Sequence, residues 1–165
     1  MFASHGRIIA TGDMMDEKFA MVPFESMMAQ TVVELRACND ISVRFGLVLS
    51  DAQMLALAQK RFEALREMGR IELGAGVLGK LVYAFCDSPY IDQSSYEDTL
   101  HTLQEIFYYF KNESMDAMGD DDLIRIMRLR FDNECQGSLA YLMETALEDI
   151  CRDIRYGYGV CGKDR

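Results

Sequence analysis

The sequence predicts an all-α protein, a single compact bundle of five to six helices with at most one short strand or hairpin near residues 70–74. Three observations carry this expectation. Only two prolines, Pro23 and Pro89, interrupt the chain, which permits long helices. The apolar set leans on helix formers, with twelve methionines and no tryptophan. Apolar residues also recur at steps of three and four through most of the sequence, the period of one buried helical face.

Residues 1–20 show no steady period and read as a poorly ordered N-terminal segment, although Ile8-Ile9 could dock as a short strand. The helical domain is expected over 21–156. Pro23 suits a first helical position, and Phe24, Met27, Met28, Thr31, Val32 and Leu35 follow helical spacing. This helix should stop near Asn39 or run on to Gly46. Ser50-Asp51-Ala52-Gln53 is a capping box, in which serine accepts from the third helical amide and glutamine reaches back. Leu55, Ala58, Phe62 and Leu65 then form one face up to Gly69. Arg70-Ile71-Glu72-Leu73 alternates and could make a brief strand. After a glycine run, Val77, Leu78, Leu81, Val82 and Phe85 define an apolar helix that Ser88-Pro89 stops. Ser94 to Glu97 reads as a second capping box, opening a helix whose seam is Tyr96, Leu100, Leu103, Phe107 and Phe110. Gly119 interrupts. Asp120-Asp121-Asp122 restarts a helix with negative charge where the macrodipole favours it, and Ile124, Met127, Phe131 and Cys135 form its face. After Gly137-Ser138, the residues Leu139, Leu142, Met143, Ala146, Ile150 and Ile154 carry the last helix. Residues 157–165 read as a flexible tail.

The formal charge of −10 disfavours nonspecific binding to nucleic acid or anionic lipid, so neither is an expected partner. It leaves room for a local basic patch. The first residues carry no apolar signal region, and no stretch reaches the roughly 18 apolar residues of a membrane span. The five cysteines are odd in number and widely spaced, without a C-x-x-C pair. A reducing cytoplasm is the expected setting, with most thiols serving as small core residues.

The run Gly74-Ala75-Gly76-Val77-Leu78-Gly79-Lys80 fits both G-x-G-x-x-G and G-x-x-x-x-G-K. A dinucleotide fold needs a buried parallel strand before the glycines, yet only four residues could form it, and two are Arg70 and Glu72. A phosphate loop needs Ser or Thr after its lysine, and Leu81 stands there. The preferred reading is a tight turn between helices. A weaker expectation survives: amides near 76–79, with Arg70, Gly74, Gly76, Gly79 and Lys80, form a generic anion site.

Glu97, His101 and Glu105 are spaced by four and share a helix face, the residue types of a metal site or of acid–base chemistry. One helix rarely surrounds a metal, so a solvated face is the simpler reading. Asp116, Asp120, Asp121 and Asp122 lack the alternating ligands of a calcium loop, and helix capping accounts for them better. His5 and Cys161 fall in the two ends, and Cys86-Asp87-Ser88 reads as a buried thiol ending a helix. No nucleophile, base and orienting group form a triad, so no catalytic residue and no cofactor are assigned. Ile106, Tyr108 and Tyr109 fall off the main seam of their helix, which makes it either central or an interface element. Acids crowd residues 94–122 and Arg125, Arg128 and Arg130 follow, a polarity that could steer a basic partner toward the acidic side.

Several phrases together are distinctive: Glu34-Leu35 with Cys38-Asn39, Phe45-Gly46-Leu47, Gly69-Arg70-Ile71-Glu72, Ala84 to Ile91, Phe107 to Glu113, and Asp121 to Ile124. Over roughly residues 24–156 they resemble a bacterial family of small cytosolic proteins classed as a domain of unknown function. The resemblance implies one folded unit and no assigned activity.

The functional expectation by elimination is a non-enzymatic protein–protein interaction or regulatory module, with a protein partner or a homo-oligomer. One alternative is an anion or nucleotide-ligand binder using the 74–80 turn. Another is a metal-dependent enzyme using the Glu97, His101 and Glu105 face.

Overall fold

The computed structural model describes the backbone of residues 11–74 and 76–156, and the side chains of these except 11–23, 146 and 153–155. Every regular element among the described residues is helical. The order is α1 (Thr11–Ser42), α2 (Asp51–Glu67), α3 (Leu78–Phe85), α4 (Tyr96–Glu113), α5 (Asp120–Asp132), α6 (Leu139–Tyr141) and α7 (Glu148–Arg155). Helix α1 packs on α2 and α3, α4 touches α2, α3 and α6, and α3 lies on α5. The expected all-α bundle is what the chain forms. The expectations placed on residues 1–10 and 157–165 lie outside the described residues.

Helix α1 begins at Thr11, upstream of the expected start at Pro23. Met14, Met15, Glu17, Ala20 and Met21 are all good helix formers and carry the helix through the proline. It ends through a 3₁₀ turn (Val43–Phe45) at Gly46, whose φ of +77° is the left-handed stop. The capping box of α2 forms as expected: the Gln53 amide donates to Ser50 Oγ at 3.2 Å, and the Ser50 amide donates to Gln53 Oε1 at 2.9 Å. At the other end the Arg70 amide reaches the Leu65 carbonyl and the Gly69 amide the Arg66 carbonyl, the paired bonds of a Schellman stop.

The buried face of α2 differs from the expected one. It is Met54, Leu57, Ala58, Arg61, Ala64 and Leu65, while Leu55 faces solvent. This stripe has regular three-and-four spacing, but an arginine stands at its centre and breaks the apolar pattern. Residues 70–73 form no strand. Their alternation is real but inverted: Ile71 and Leu73 are 94% and 84% exposed, and Arg70 and Glu72 turn inward to partners.

The α4 seam is as expected, with Tyr96, Leu100, Leu103, Phe107 and Phe110 at most 1% exposed. Burying a side chain of this size contributes about 1.5–3 kcal/mol. The start of α4 is a correction. Asp92, not Ser94, caps the segment, accepting from the Ser95 amide and from both the Ser94 and Ser95 hydroxyls. A carboxylate two and three residues ahead of these donors is a stronger acceptor than a serine hydroxyl. A short 3₁₀ turn (Gln93–Ser95) then leads into α4.

The single last helix is also corrected. Between α6 and α7 the backbone makes a π-turn, Leu142–Ala146. Leu142 and Leu147 are both buried, five residues apart, and Cys151 follows four later. A straight α-helix cannot stack residues at a step of five. One wide turn realigns them, and Met143 is left partly exposed.

Candidate functional site

The glycine run lies over a buried polar cluster. Arg61 is 1% exposed, in the middle of α2. Its Nη2 and Nε donate to Glu72 Oε1 at 3.0 and 3.3 Å, and its Nη1 donates to Thr31 Oγ1 at 2.9 Å. Thr31 in turn donates to the Met27 carbonyl at 2.8 Å. The Tyr108 hydroxyl, from α4, donates to the same Glu72 oxygen at 2.6 Å. Burial and the neighbouring Glu72 charge push the Tyr108 hydroxyl far above its ordinary pKa, so it remains a donor. Helices α2 and α4 therefore converge, through Arg61 and Tyr108, on one carboxylate of the turn, and α1 joins through Thr31 on Arg61.

Gly76 closes this cluster from above. Its φ is +78°, and a Cβ there would lie 2.1 Å from Glu72 Oε1 and 2.4 Å from Arg61 Nε. The glycine allows the backbone to pass over the ion pair. Gly74, with φ +75°, supplies the bend before it in open space. Gly79 sits in the first turn of α3 against α1, where a Cβ would lie 2.2 Å from Glu34 Oε1. The carboxylate of Glu34 thus lies at the helix end that the macrodipole makes attractive to negative charge.

The two cations of the anion-site expectation point to different partners. Arg70 donates to Asp116 Oδ1 at 2.6 Å and to Asn112 Oδ1 at 2.7 Å, beside the end of α4. Lys80 pairs with Asp121 of α5 at 2.9 Å. The hydrogen bond from Arg70 holds the Asp116 carboxyl below the usual carboxylate range, and the Asp121 bond raises Lys80.

The aspartate run resolves into separate ion pairs. Asp120 takes the buried Lys111 at 2.8 Å, Asp121 takes Lys80, and Asp122 takes Arg125 at 3.3 Å. Lys111 also donates to the Met118 carbonyl at 2.8 Å, fastening the α4–α5 corner. None of these aspartates caps α5, whose first residue follows Gly119 without a side-chain cap. Arg128 joins Asp87, Asp132 and the Ala84 carbonyl, and Ser88 Oγ donates to Asp132 at 2.7 Å. The Arg128 bond keeps the Asp87 carboxyl low.

The metal candidates remain on their helix face. Glu97 lies 3.9 Å from Lys60, and His101 Nε2 lies 3.3 Å from Glu105. Among the described residues no three His, Cys, Asp or Glu side chains assemble as a metal site. Cys38, Cys86, Cys135 and Cys151 are buried, and burial raises the first three thiols above their ordinary pKa. Low-dielectric surroundings of this kind make thiols inert.

Of the interaction candidates, Ile106 and Tyr108 are fully buried and serve the packing of central α4. That removes them as contact residues of an intact fold. Tyr109 is half-buried and has a different position. It lines a groove of about 330 Å³ between α4 and the C-terminal helices. Phe110, Met143 and Cys151 complete its apolar floor, and Glu113, Glu144 and Glu148 stand around it. The π-turn supplies Met143 and Glu144. Of this groove the sequence shows only Tyr109, because the five-residue step that brings in Met143 and Glu144 is absent from an ordinary helical reading. A second groove, of about 490 Å³, runs between α3 and α5 and carries Lys80, Arg125 and Arg128 beside Tyr83, Ala84 and Ile124.

A family of unknown function (DUF6323) matches residues 34–160, more than half of the chain. No curated protein and no solved structure matches it.

Proposed function

We propose that this chain, which belongs to the family of unknown function DUF6323, works as a protein–protein interaction module that takes a basic, apolar-anchored segment into the groove between α4 and α7. The observation that carries this reading is the groove's composition: an apolar floor of Tyr109, Phe110, Met143 and Cys151 inside a border of Glu113, Glu144 and Glu148. An amphipathic helix with one apolar face and flanking Lys or Arg matches both halves of that surface. Aromatic and methionine side chains are favoured at contact surfaces, because they offer large area and adapt to a partner. A π-turn at the rim is in keeping with the frequent use of such turns at functional sites.

The test is fluorescence anisotropy with a labelled Leu/Lys amphipathic peptide and its Leu/Glu counterpart. The basic peptide should bind, with affinity falling as salt rises. Glu144→Lys with Glu148→Lys should weaken it at least tenfold. Glu63→Lys with Glu67→Lys changes the net charge equally on α2 and should leave binding within about twofold, on the expectation that exposed distant charges are screened. Equal losses in both double variants, or equal binding of the two peptides, would sink the proposal.

A further inference from the structure

We infer that the α3–α5 groove is a separate binding site for a small organic anion with a flat apolar body, such as an aromatic carboxylate. This surface is independent of the acidic groove and is opposite in charge. In a chain of net charge −10, three cations line one groove with a single acid, Asp121, among them. Tyr83, half exposed, offers apolar surface beside them, and the buried Ile124 also lines the groove. The volume of about 490 Å³ falls within the range of small-molecule sites.

The cations differ in how firmly they are held. Arg128 is committed to Asp87, Asp132 and the Ala84 carbonyl, so it fixes the groove wall. Lys80 and Arg125 are held by exposed partners. The Lys80–Asp121 pair spans from α3 to α5, with side chains 49% and 85% exposed. The Arg125–Asp122 pair has side chains 75% and 66% exposed. Surface pairs of this kind contribute little and exchange readily with another carboxylate. An incoming anion can take the place of Asp121 at Lys80, while Asp121 returns to water with little desolvation cost. Its ring then lies against Tyr83, where stacking on an aromatic face is available. Binding involves no covalent step.

The experiment uses the full chain and the fluorescent aromatic sulfonate 8-anilinonaphthalene-1-sulfonate, displaced by 2-naphthoate or by the neutral 2-naphthalenemethanol. The sulfonate should bind the folded protein, and 2-naphthoate should displace it at a concentration at least tenfold lower than the alcohol. Lys80→Gln with Arg125→Gln should weaken binding at least fivefold, and Tyr83→Ala at least threefold. Arg44→Gln with Arg66→Gln, at exposed positions outside the groove, should leave binding unchanged. Circular dichroism confirms that each variant is folded. Tyr83→Ala keeps the test decisive if the Lys80/Arg125 double variant fails to fold. Absence of binding, equal displacement by the two competitors, or full affinity in either groove variant overturns the site.

Discussion

A Cβ on Gly76 would lie 2.4 Å from Nε of Arg61. The relation explains the glycine run without a nucleotide. The turn must pass directly over a guanidinium that is itself buried, and only a residue without a side chain fits that distance. Gly74, two positions earlier, has the same left-handed backbone but nothing within 4 Å.

The two glycines should therefore respond differently to alanine. Gly74→Ala meets only the backbone penalty, about 1–2 kcal/mol. Gly76→Ala meets that penalty and must also displace the Arg61–Glu72 pair, adding about 1–3 kcal/mol for disturbed buried hydrogen bonds. Urea unfolding of the two variants measures the difference. Equal losses would mean that the loop does not rest on Arg61.

Within the buried cluster, Arg61→Ala removes the guanidinium that donates to both Glu72 and Thr31. A loss of about 3 kcal/mol is expected, at the low end for a broken buried pair because the Glu72 side chain is 22% exposed. Tyr108→Phe deletes one hydrogen bond to a charged group and should cost about 2 kcal/mol. The double variant should lose less than the sum, since both donors converge on one oxygen. Strict additivity in the denaturation cycle would contradict the shared acceptor.

Gln104 is fully buried on α4, and among the described residues neither its amide nitrogen nor its amide oxygen has a hydrogen-bond partner. A buried polar group in that condition is destabilising by about 1–3 kcal/mol. Gln104→Met keeps the length of the side chain and removes the polar atoms. An increase in stability of about 1 kcal/mol is expected from the thermal midpoint. A decrease would show that the amide is satisfied in solution.

Acid should weaken the Arg70–Asp116 contact in a definite window. The folded pKa of Asp116 lies below its usual 3.8, through the Arg70 hydrogen bond. Its contribution is therefore present above the unfolded value and is lost as pH falls through the folded one. Asp116→Asn should lower stability at neutral pH slightly, by under about 1 kcal/mol at this half-exposed position. The gap between wild type and variant should close below pH 3.8. A constant gap across the acid limb of a pH-dependent melt would refute the linkage.

Regular helices were the legible part of the sequence. The α4 seam and the α2 capping box depend on residues within a turn or two of each other, so pattern alone exposes them. Arg61 was illegible for the opposite reason. Its partners Thr31 and Glu72 come from α1 and the turn, Tyr108 of α4 shares Glu72, and a charged residue in a buried stripe looks like a flaw until they are seen together. Two overlapping signals misled at α4, where both Asp92 and Ser94 stand at cap spacing and the carboxylate prevails. The acidic groove was half visible. Tyr109 falls off the seam, but Met143 and Glu144 reach it only through the π-turn. Ile106 and Tyr108 also fall off the seam yet turn inward, because α4 has neighbours on several sides.

The inward-facing Arg70 and Glu72 have a consequence for motion. A ten-residue connection without a strand would ordinarily open on its own and exchange its amides quickly. This one is pinned at two points to different helices, at Asp116 beside α4 and at Arg61 within α2. To release it, both anchors must let go, and the second is buried among the helices it joins. Its opening is thus tied to separation of α2 from α4. Ile71 and Leu73, for all their exposure to water, are carried on a stretch of chain that moves only when the bundle does.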